Sequence, residues 1–392
     1  MQIPRSRIPQ GIWMLGFVSL LMDISSEMIH SLLPLFMIES LGTTALIVGL
    51  VEGLAESTAL IVKVFSGALS DYIGKRKGLA LLGYGLGAIT KPLFALASGI
   101  GLVLTARLVD RIGKGIRGAP RDALIADIAP AEIRGAAFGL RQSLDTVGAF
   151  LGPLIAVVLM LIWNNDYRSV FWVAVIPGIL SVLALTLGVK EPKRHVDALR
   201  TNPISRKNLE QLPQAFWWVV IIGAIFTMAR FSEAFLVLKA EKAAVPVALI
   251  PLVMVAMNLV YAASAYPLGK LSDHISHKWL LAGGMLLLVG ADLILANTQH
   301  WGMMLLGVAL WGIHLGATQG LLARMIADHA PPQLRGTAYG IFNLVTGMTM
   351  LFASALAGLI WDLFGPDFTF ATGATFALLA LLVLMQANRG KI

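Results

Sequence analysis

The chain has no cysteine among its 392 residues. A disulfide framework, an iron–sulfur site, a thiolate zinc site and a cysteine nucleophile are therefore excluded. Charge is the second scarcity. Asp, Glu, Lys and Arg make up 13% of the residues, against about 25% in soluble proteins. A soluble fold of this length could not cover its surface with so few. Motifs of enzymes and pumps are also missing. The glycines of RIGKGIRG lack a preceding strand and the Gly-Lys-Ser/Thr ending of a nucleotide loop, and no zincin or serine-hydrolase motif occurs. An ATP-driven pump and an intramembrane enzyme are thereby unsupported, and no cofactor is implied. What the chain has is apolar surface: 57% of its residues are hydrophobic and the mean hydropathy is +0.79. Disorder, collagen and coiled coil fail on these figures. The solvent of most of this chain is lipid.

A bilayer core takes about 20 apolar residues as a helix. Segments of that kind lie near 12–37, 44–69, 78–97, 99–120, 136–162, 168–188, 215–238, 245–268, 279–297, 301–323, 336–361 and 367–387. The expected fold is all-α, with twelve transmembrane helices. The first span does not read as a cleavable signal peptide: it is too long, carries Asp23 and Glu27, and is followed at once by another span.

Hydropathy alone would reject span 4, which reads RLVDRIGKGIRGAPRD from Arg107 onward. An internal repeat restores it. IADIAPAEIRGAAFGL from Ile125 matches IADHAPPQLRGTAYGI from Ile326 at nine of sixteen positions, at an offset of 201. GALSDYIGKRK from Gly67 matches GKLSDHISHK from Gly269 at an offset of 202. Two stretches with nearly one offset mean that the halves are parallel duplicates. Span 4 then corresponds to the plainly apolar residues 300–321. The expected organisation is a six-helix bundle over 1–188, a basic linker over 189–214 and a second bundle over 215–392.

Positive charge sorts to one side. Arg5, Arg7, Lys75, Arg76, Lys77, the linker's Lys190, Lys193, Arg194, Arg200, Arg206 and Lys207, and Arg389 and Lys391 share it, whereas the opposite connections hold only Arg168, Lys239 and Lys242. The positive-inside rule places both termini and the linker in the cytoplasm. Topology and anionic lipid account for the net charge of +8 without nucleic acid.

Twelve spans as six plus six, a basic linker and these duplicated loops resemble the Major Facilitator Superfamily over nearly the whole chain. The family's loop signature after span 2 appears as Gly67, Leu69, Asp71, Gly74, Lys75 and Arg76, and in the second half as Gly269, Leu271, Asp273 and Lys278. Tyr72 and Ser276 depart from it. Asp127, Pro130, Arg134 and Gly135, with partners Asp328, Pro331, Arg335 and Gly336, resemble the loops after spans 4 and 10. The resemblance implies a cytoplasmic gate at Gly67, Asp71, Arg76, Arg134, Asp273 and Arg335. In span 5, Gly139, Gly148, Gly152 and Pro153 match the glycine motif of efflux antiporters, with Ala156 and Val157 replacing its closing glycines. In span 4, Arg111, Gly113, Lys114 and Gly115 resemble the family's arginine motif, linked to proton transfer. The surrounding run resembles a subgroup of prokaryotic permeases, some described as nickel-resistance exporters. A monomer in a prokaryotic cell membrane is implied.

The buried charges speak independently of family. Each charge at mid-bilayer costs about 2.5–3.5 kcal/mol on insertion scales. Facing lipid, the deeper charges of span 4 would together cost on the order of 10 kcal/mol, comparable to a domain's stability. At about 100° per residue, Arg107, Asp110, Lys114, Arg117 and Arg121 fall within an arc of roughly 80°. Asp23, Glu27 and His30 of span 1 fall within about 60°. Glu52, Glu56 and Lys63 share a face of span 2. Arg134, Arg141 and Asp145 do so in span 5. The second half is sparser, with Arg230, Glu233, Asn258, Tyr261, Asp292, His314 and Gln319.

The family architecture puts spans 1, 4, 7 and 10 around a central cavity. The implied lining is His30, Arg107, Asp110, Lys114, Arg230, Glu233, His314 and Gln319, with Asp23 or Glu27 as proton carrier and Arg111 as counter-charge. The expected activity is proton-coupled export of a small solute. A divalent metal cargo on Asp23, Glu27, His30 and His314 is the alternative, nickel or cobalt rather than a soft metal because thiolates are lacking. An anion drawn by the basic stripe is a third choice, and a non-transporting sensor on the same scaffold a fourth reading.

Overall fold

The structure, a computed structural model, describes residues 8–73, 75–130, 133–191, 211–271, 274–331 and 334–386, for 67, 68 and 71–73 the backbone alone. Among them every regular element is helical, as the hydropathy pattern requires: only a helix or a closed barrel satisfies its backbone within lipid. The expected gate residue Asp273, the side chain of Asp71, the surroundings of Gly67 and most of the basic linker lie outside the described residues.

Spans 2 to 6 are single helices, Ala45–Ile73, Arg76–Leu96, Ile100–Ile128, Arg134–Ile162 and Tyr167–Gly188. In the second half span 8 is Leu252–Leu271, and spans 9 to 12 are His277–Asn297, Trp301–His329, Arg335–Phe364 and Pro366–Gln386. Eleven spans are long and apolar enough to cross a membrane on length and composition alone. The twelfth is the charged span 4, an unbroken helix of 29 residues. The halves keep register: Arg76–Leu96 and His277–Asn297 begin and end at the offset of the sequence repeat, as do Ile100–Ile128 and Trp301–His329.

Spans 1 and 7 depart from the continuous helices expected. Span 1 runs Gln10–His30, breaks, and resumes as Leu33–Leu35 and a π-helical turn over Phe36–Ser40. Pro34 explains the break, since it lacks an N–H and biases its predecessor away from helical angles. Span 7 runs Gln214–Ala229, breaks, and resumes as Ala234–Lys242. No proline stands there. Instead Ser232 Oγ accepts from the N–H of Ala234 at 3.2 Å, and the N–H of Ser232 donates to Ser354 Oγ at 3.1 Å. Serine thus restarts the helix as a cap does. The two breaks, at His30 and Arg230, fall at nearly corresponding places in the repeat.

Spatially the chain forms two compact units. One comprises residues 1–30 and 62–200, the other 31–61 and 201–392. The division passes through spans 1 and 2 because the first part of span 2 packs on span 11. There the Asp362 carboxylate accepts from the N–H groups of Ala45 and Leu46 at 3.0 and 2.8 Å. A Cβ at Gly49 would collide with the carbonyl of Ser354, and one at Gly358 with that of Ala45. Small residues allow such backbone approach in membranes.

The turn between spans 5 and 6 carries Asn164 and Asn165 at positive φ, in the left-handed region that asparagine tolerates. It ends at Asp166, the N-cap of span 6, which accepts from the N–H of Arg168 at 3.0 Å and the hydroxyl of Ser169 at 2.5 Å. Led by the serine hydroxyl, these bonds hold the Asp166 carboxyl below its usual range.

Candidate functional site

In the first unit the acidic stripe of span 1 lies against the glycines of span 5. A Cβ at Gly148 would sit 2.8 Å from the Leu20 carbonyl oxygen and 2.9 Å from Asp23 Cβ. One at Gly152 would sit 2.7 Å from Glu27 Cβ and 2.9 Å from the Ile24 carbonyl oxygen. Two glycines of the antiporter-type motif are therefore where the acid-bearing backbone comes closest. Gly139 has nothing within 4 Å of its Cβ position. Pro153 is buried beside Gly152.

Span 4 faces this stripe with its cations. Arg111 hydrogen-bonds the imidazole of His30, 3.0 Å from Nδ1, and also approaches Nε2. Glu27 lies 3.7 Å from His30 on the adjacent turn. The charges acting most strongly on Asp23 are Asp145, Arg117, Lys114 and Arg121. Arg111 thus meets its expected helix at His30, and the basic groups around Asp23 come from further along span 4. Arg107 is buried and Lys114 is exposed.

Behind this face lies a pair the sequence reading did not single out. Lys91 of span 3 reaches Asp110 Oδ1 at 2.8 Å and Ser26 Oγ at 3.0 Å. Both charges are nearly inaccessible, at 1% for Lys91 and 3% for Asp110. Asp110, one of the expected lining residues, anchors this buried ion pair. Further along span 4, Arg117 lies over the Tyr84 ring at 4.9 Å. Tyr84 hydroxyl pairs with Ser19 Oγ at 3.0 Å, and Arg121 donates to the same serine at 3.0 Å. Arg141 and Asp145 pair at 2.5 Å, one turn apart in span 5.

Of the expected gate residues, Arg76 joins the Asp127 carboxylate and donates to the Ala123 carbonyl at 2.8 Å. Glu191 accepts from the N–H groups of Arg76 and Lys77, both at 2.8 Å, capping span 3. The second unit repeats the contact at an offset of 201: His277 Nδ1 lies 3.7 Å from Asp328. Arg335 donates to the Ala327 carbonyl at 3.1 Å, and Arg134 is exposed.

In the second unit Arg230, Glu233 and Tyr261 act on one another electrostatically. Tyr261 hydroxyl donates to Gln319 Oε1 at 2.9 Å. The two side chains border a cavity of about 280 Å³ that Gly269, Leu280 and Gly316 also line. Three of the four expected lining residues of this half therefore gather around one tyrosine. His314, the fourth, is fully buried, edge-on to Trp311 at 5.4 Å and to Phe226 at 6.2 Å.

Glu27 and His30 set a carboxylate 3.7 Å from an imidazole. Among the described residues no group of three or more histidines and carboxylates gathers as a metal ion would require. Arg111 at the imidazole places a fixed positive charge where a cation would bind.

Comparison with known proteins identifies the class. The Major Facilitator Superfamily model matches residues 15–243 and 220–391, so the chain belongs to that family of membrane transporters. An uncharacterised MFS-type transporter of Methanocaldococcus jannaschii is 34% identical over 96% of this chain and 95% of its own. The quinolone resistance protein NorA of Staphylococcus aureus is 22% identical over 97% of this chain and 98% of its own. Among solved structures, an inward-facing, occupied bacterial homologue of the human lysosomal transporter Spinster superposes with a TM-score of 0.78. It is 18% identical, with 96% of each chain covered. The chain is a multi-pass membrane protein of the two-repeat fold that these relatives share.

Proposed function

We propose that this protein is a proton-coupled exporter of a small solute, working by alternating access, with Asp23 and Glu27 as the groups that change protonation. The observation that carries this reading is the seating of Gly148 and Gly152 on the backbone at Asp23 and Glu27. Asp23 stands where the cations Arg117, Lys114 and Arg121 are opposed by the anion Asp145. The Asp23 carboxylate takes a proton when movement of a helix removes those cations. The two glycines bring the span-5 backbone against span 1 at the acids themselves, so a movement of either helix acts directly on them. The breaks at His30 and Arg230 add support. Interrupted helices at corresponding places in two repeats are where transporters build binding sites, because helix ends expose backbone groups. Outward transport leans on the likeness to NorA and on the span-5 glycines. Arg230, Glu233, Tyr261 and Gln319 are the proposed solute contacts of the second half.

A small organic solute suits the cavity beside Tyr261 and Gln319. The divalent-metal reading is the weaker one, since Arg111 already occupies the imidazole of His30.

The test is accumulation of a quinolone probe in everted membrane vesicles under an imposed pH gradient. Asp23→Asn and Glu27→Gln are each expected to abolish it while the protein remains folded in the membrane. Wild-type accumulation by both variants would overturn the carrier assignment.

A further inference from the structure

The two repeats solve one buried position in opposite ways. Lys91 of span 3 and Asp110 of span 4 form the ion pair of the first unit. At the offset of 201 their counterparts are Asp292 of span 9 and Trp311 of span 10. Asp292 is fully buried, and neither carboxylate oxygen has a hydrogen-bond partner. The position of the lysine is thus taken by an acid, and the position of its partner by an indole.

The surroundings are built around that acid. Gly373 of span 12 faces it: a Cβ there would lie 2.6 Å from Asp292 Oδ2 and 2.9 Å from the Phe231 ring. Phe231 packs on Trp311 and Phe370 at 5.7 and 5.6 Å. Glycine at 373 leaves room for a polar atom that makes no bond. An ionised carboxylate without partners in such a place is strongly disfavoured even after relaxation. Leucine would fill the space at no such cost.

The titratable groups on the neighbouring elements do not neutralise it. His314 of span 10 lies edge-on to Trp311 and Phe226, and neither ring nitrogen has a hydrogen-bond partner. Asp367 of span 12 is paired with Lys239 at 2.8 Å. Arg230, one residue before Phe231, lies over the Phe226 ring at 5.6 Å. On its own helix, His277 and Lys278 stand at the far end, four turns away by about 3.6 residues per turn. A metal cation would need several oxygens, and among the described residues no such group gathers.

We propose that Asp292 is a proton-binding site, in which a proton takes the place that the Lys91 ammonium holds in the other repeat. The ligand is a single proton on a carboxylate oxygen. No other bond forms or breaks. Asp292 belongs to the second unit and Asp23 and Glu27 to the first, so the proposal stands or falls independently of the carrier assignment above.

The test is the infrared carbonyl stretch of protonated carboxylic acids in purified protein at neutral pH. Wild type is expected to show such a band, and Asp292→Asn, which keeps the volume, is expected to lose the Asp292 component of it in the difference spectrum. Asp23→Asn and Glu27→Gln should retain it. Gly373→Ala crowds the acid without removing it and should shift the band in frequency, which keeps the proposal testable if Asp292→Asn does not fold. An identical band in wild type and Asp292→Asn, or an unshifted one in Gly373→Ala, overturns the proposal.

Discussion

Lys91 is a charge at 1% exposure whose ammonium reaches one carboxylate and one serine. Removing one member of a buried pair costs about 3–5 kcal/mol, because the survivor is left uncompensated. Lys91→Met is therefore expected to lower the melting temperature sharply, and Lys91→Met with Asp110→Leu to recover much of the loss. Equal instability of single and double variants would show that the pair contributes nothing of its own. Asp166 offers a pH-dependent counterpart on the surface. Its carboxyl is held low in the folded chain, so its contribution is present above about pH 4, the usual unfolded value. The contribution is lost as pH falls through the lower folded value. Asp166→Ala should cost about 1 kcal/mol at neutral pH and less in acid, as read from thermal melts at several pH values. At this scale the sequence was partly legible. The stripe of Asp23, Glu27 and His30 could be read because side chains three and four apart share a helix face. The partner of Arg111 could not, because that depends on how far each helix is rotated toward its neighbour. Lys91 had a signal, a solitary lysine in an apolar span.

Most helix boundaries followed hydropathy to within a few residues. The exceptions are span 4, the broken spans 1 and 7, the charged end of span 10, and span 8, whose helix begins at Leu252 after a 3-10 turn over Val247–Leu249 rather than near 245. Span 4 could be recovered only through its repeat partner, since its own composition argues against it. The break in span 1 had a visible cause in Pro34. That in span 7 had none along the chain, because it rests on Ser232 bonding to Ser354 in span 11, far away in sequence. The span-5 glycines make a prediction at the scale of the element. Alanine at Gly152 would press on the Ile24 carbonyl and Met28 nitrogen, backbone that cannot rotate aside, at a cost of about 1–3 kcal/mol. Gly152→Ala is expected to impair probe transport and lower the melting temperature. Gly139→Ala, with open space at that position, should do neither. Equal effects at the two sites would mean that close approach to span 1 is not what the motif supplies.

At the scale of the molecule, duplication was the most legible feature. It reappears as contacts: Arg76 with Asp127 and His277 with Asp328 are the same pair a repeat apart. What duplication hides is divergence within the shared frame, and the exchange of Lys91 for Asp292 becomes visible only when partners can be counted. Topology is testable on the same scale. The natural chain has no thiol, so a single cysteine reports its own side of the membrane. Asn165→Cys should react with an impermeant maleimide on intact cells, and Lys77→Cys only after permeabilisation. Labelling of both without permeabilisation would refute the cytoplasmic placement of the basic loops. The Asp362 contact bears finally on biosynthesis. The first turn of span 2 emerges from the ribosome long before the carboxylate that ties down its amides, most of the chain lying between them. Until translation is nearly complete those donors must be held by water or headgroups at the membrane edge. The start of an early helix is thus secured by one of the last to be made, and a chain ending before span 11 would leave it frayed.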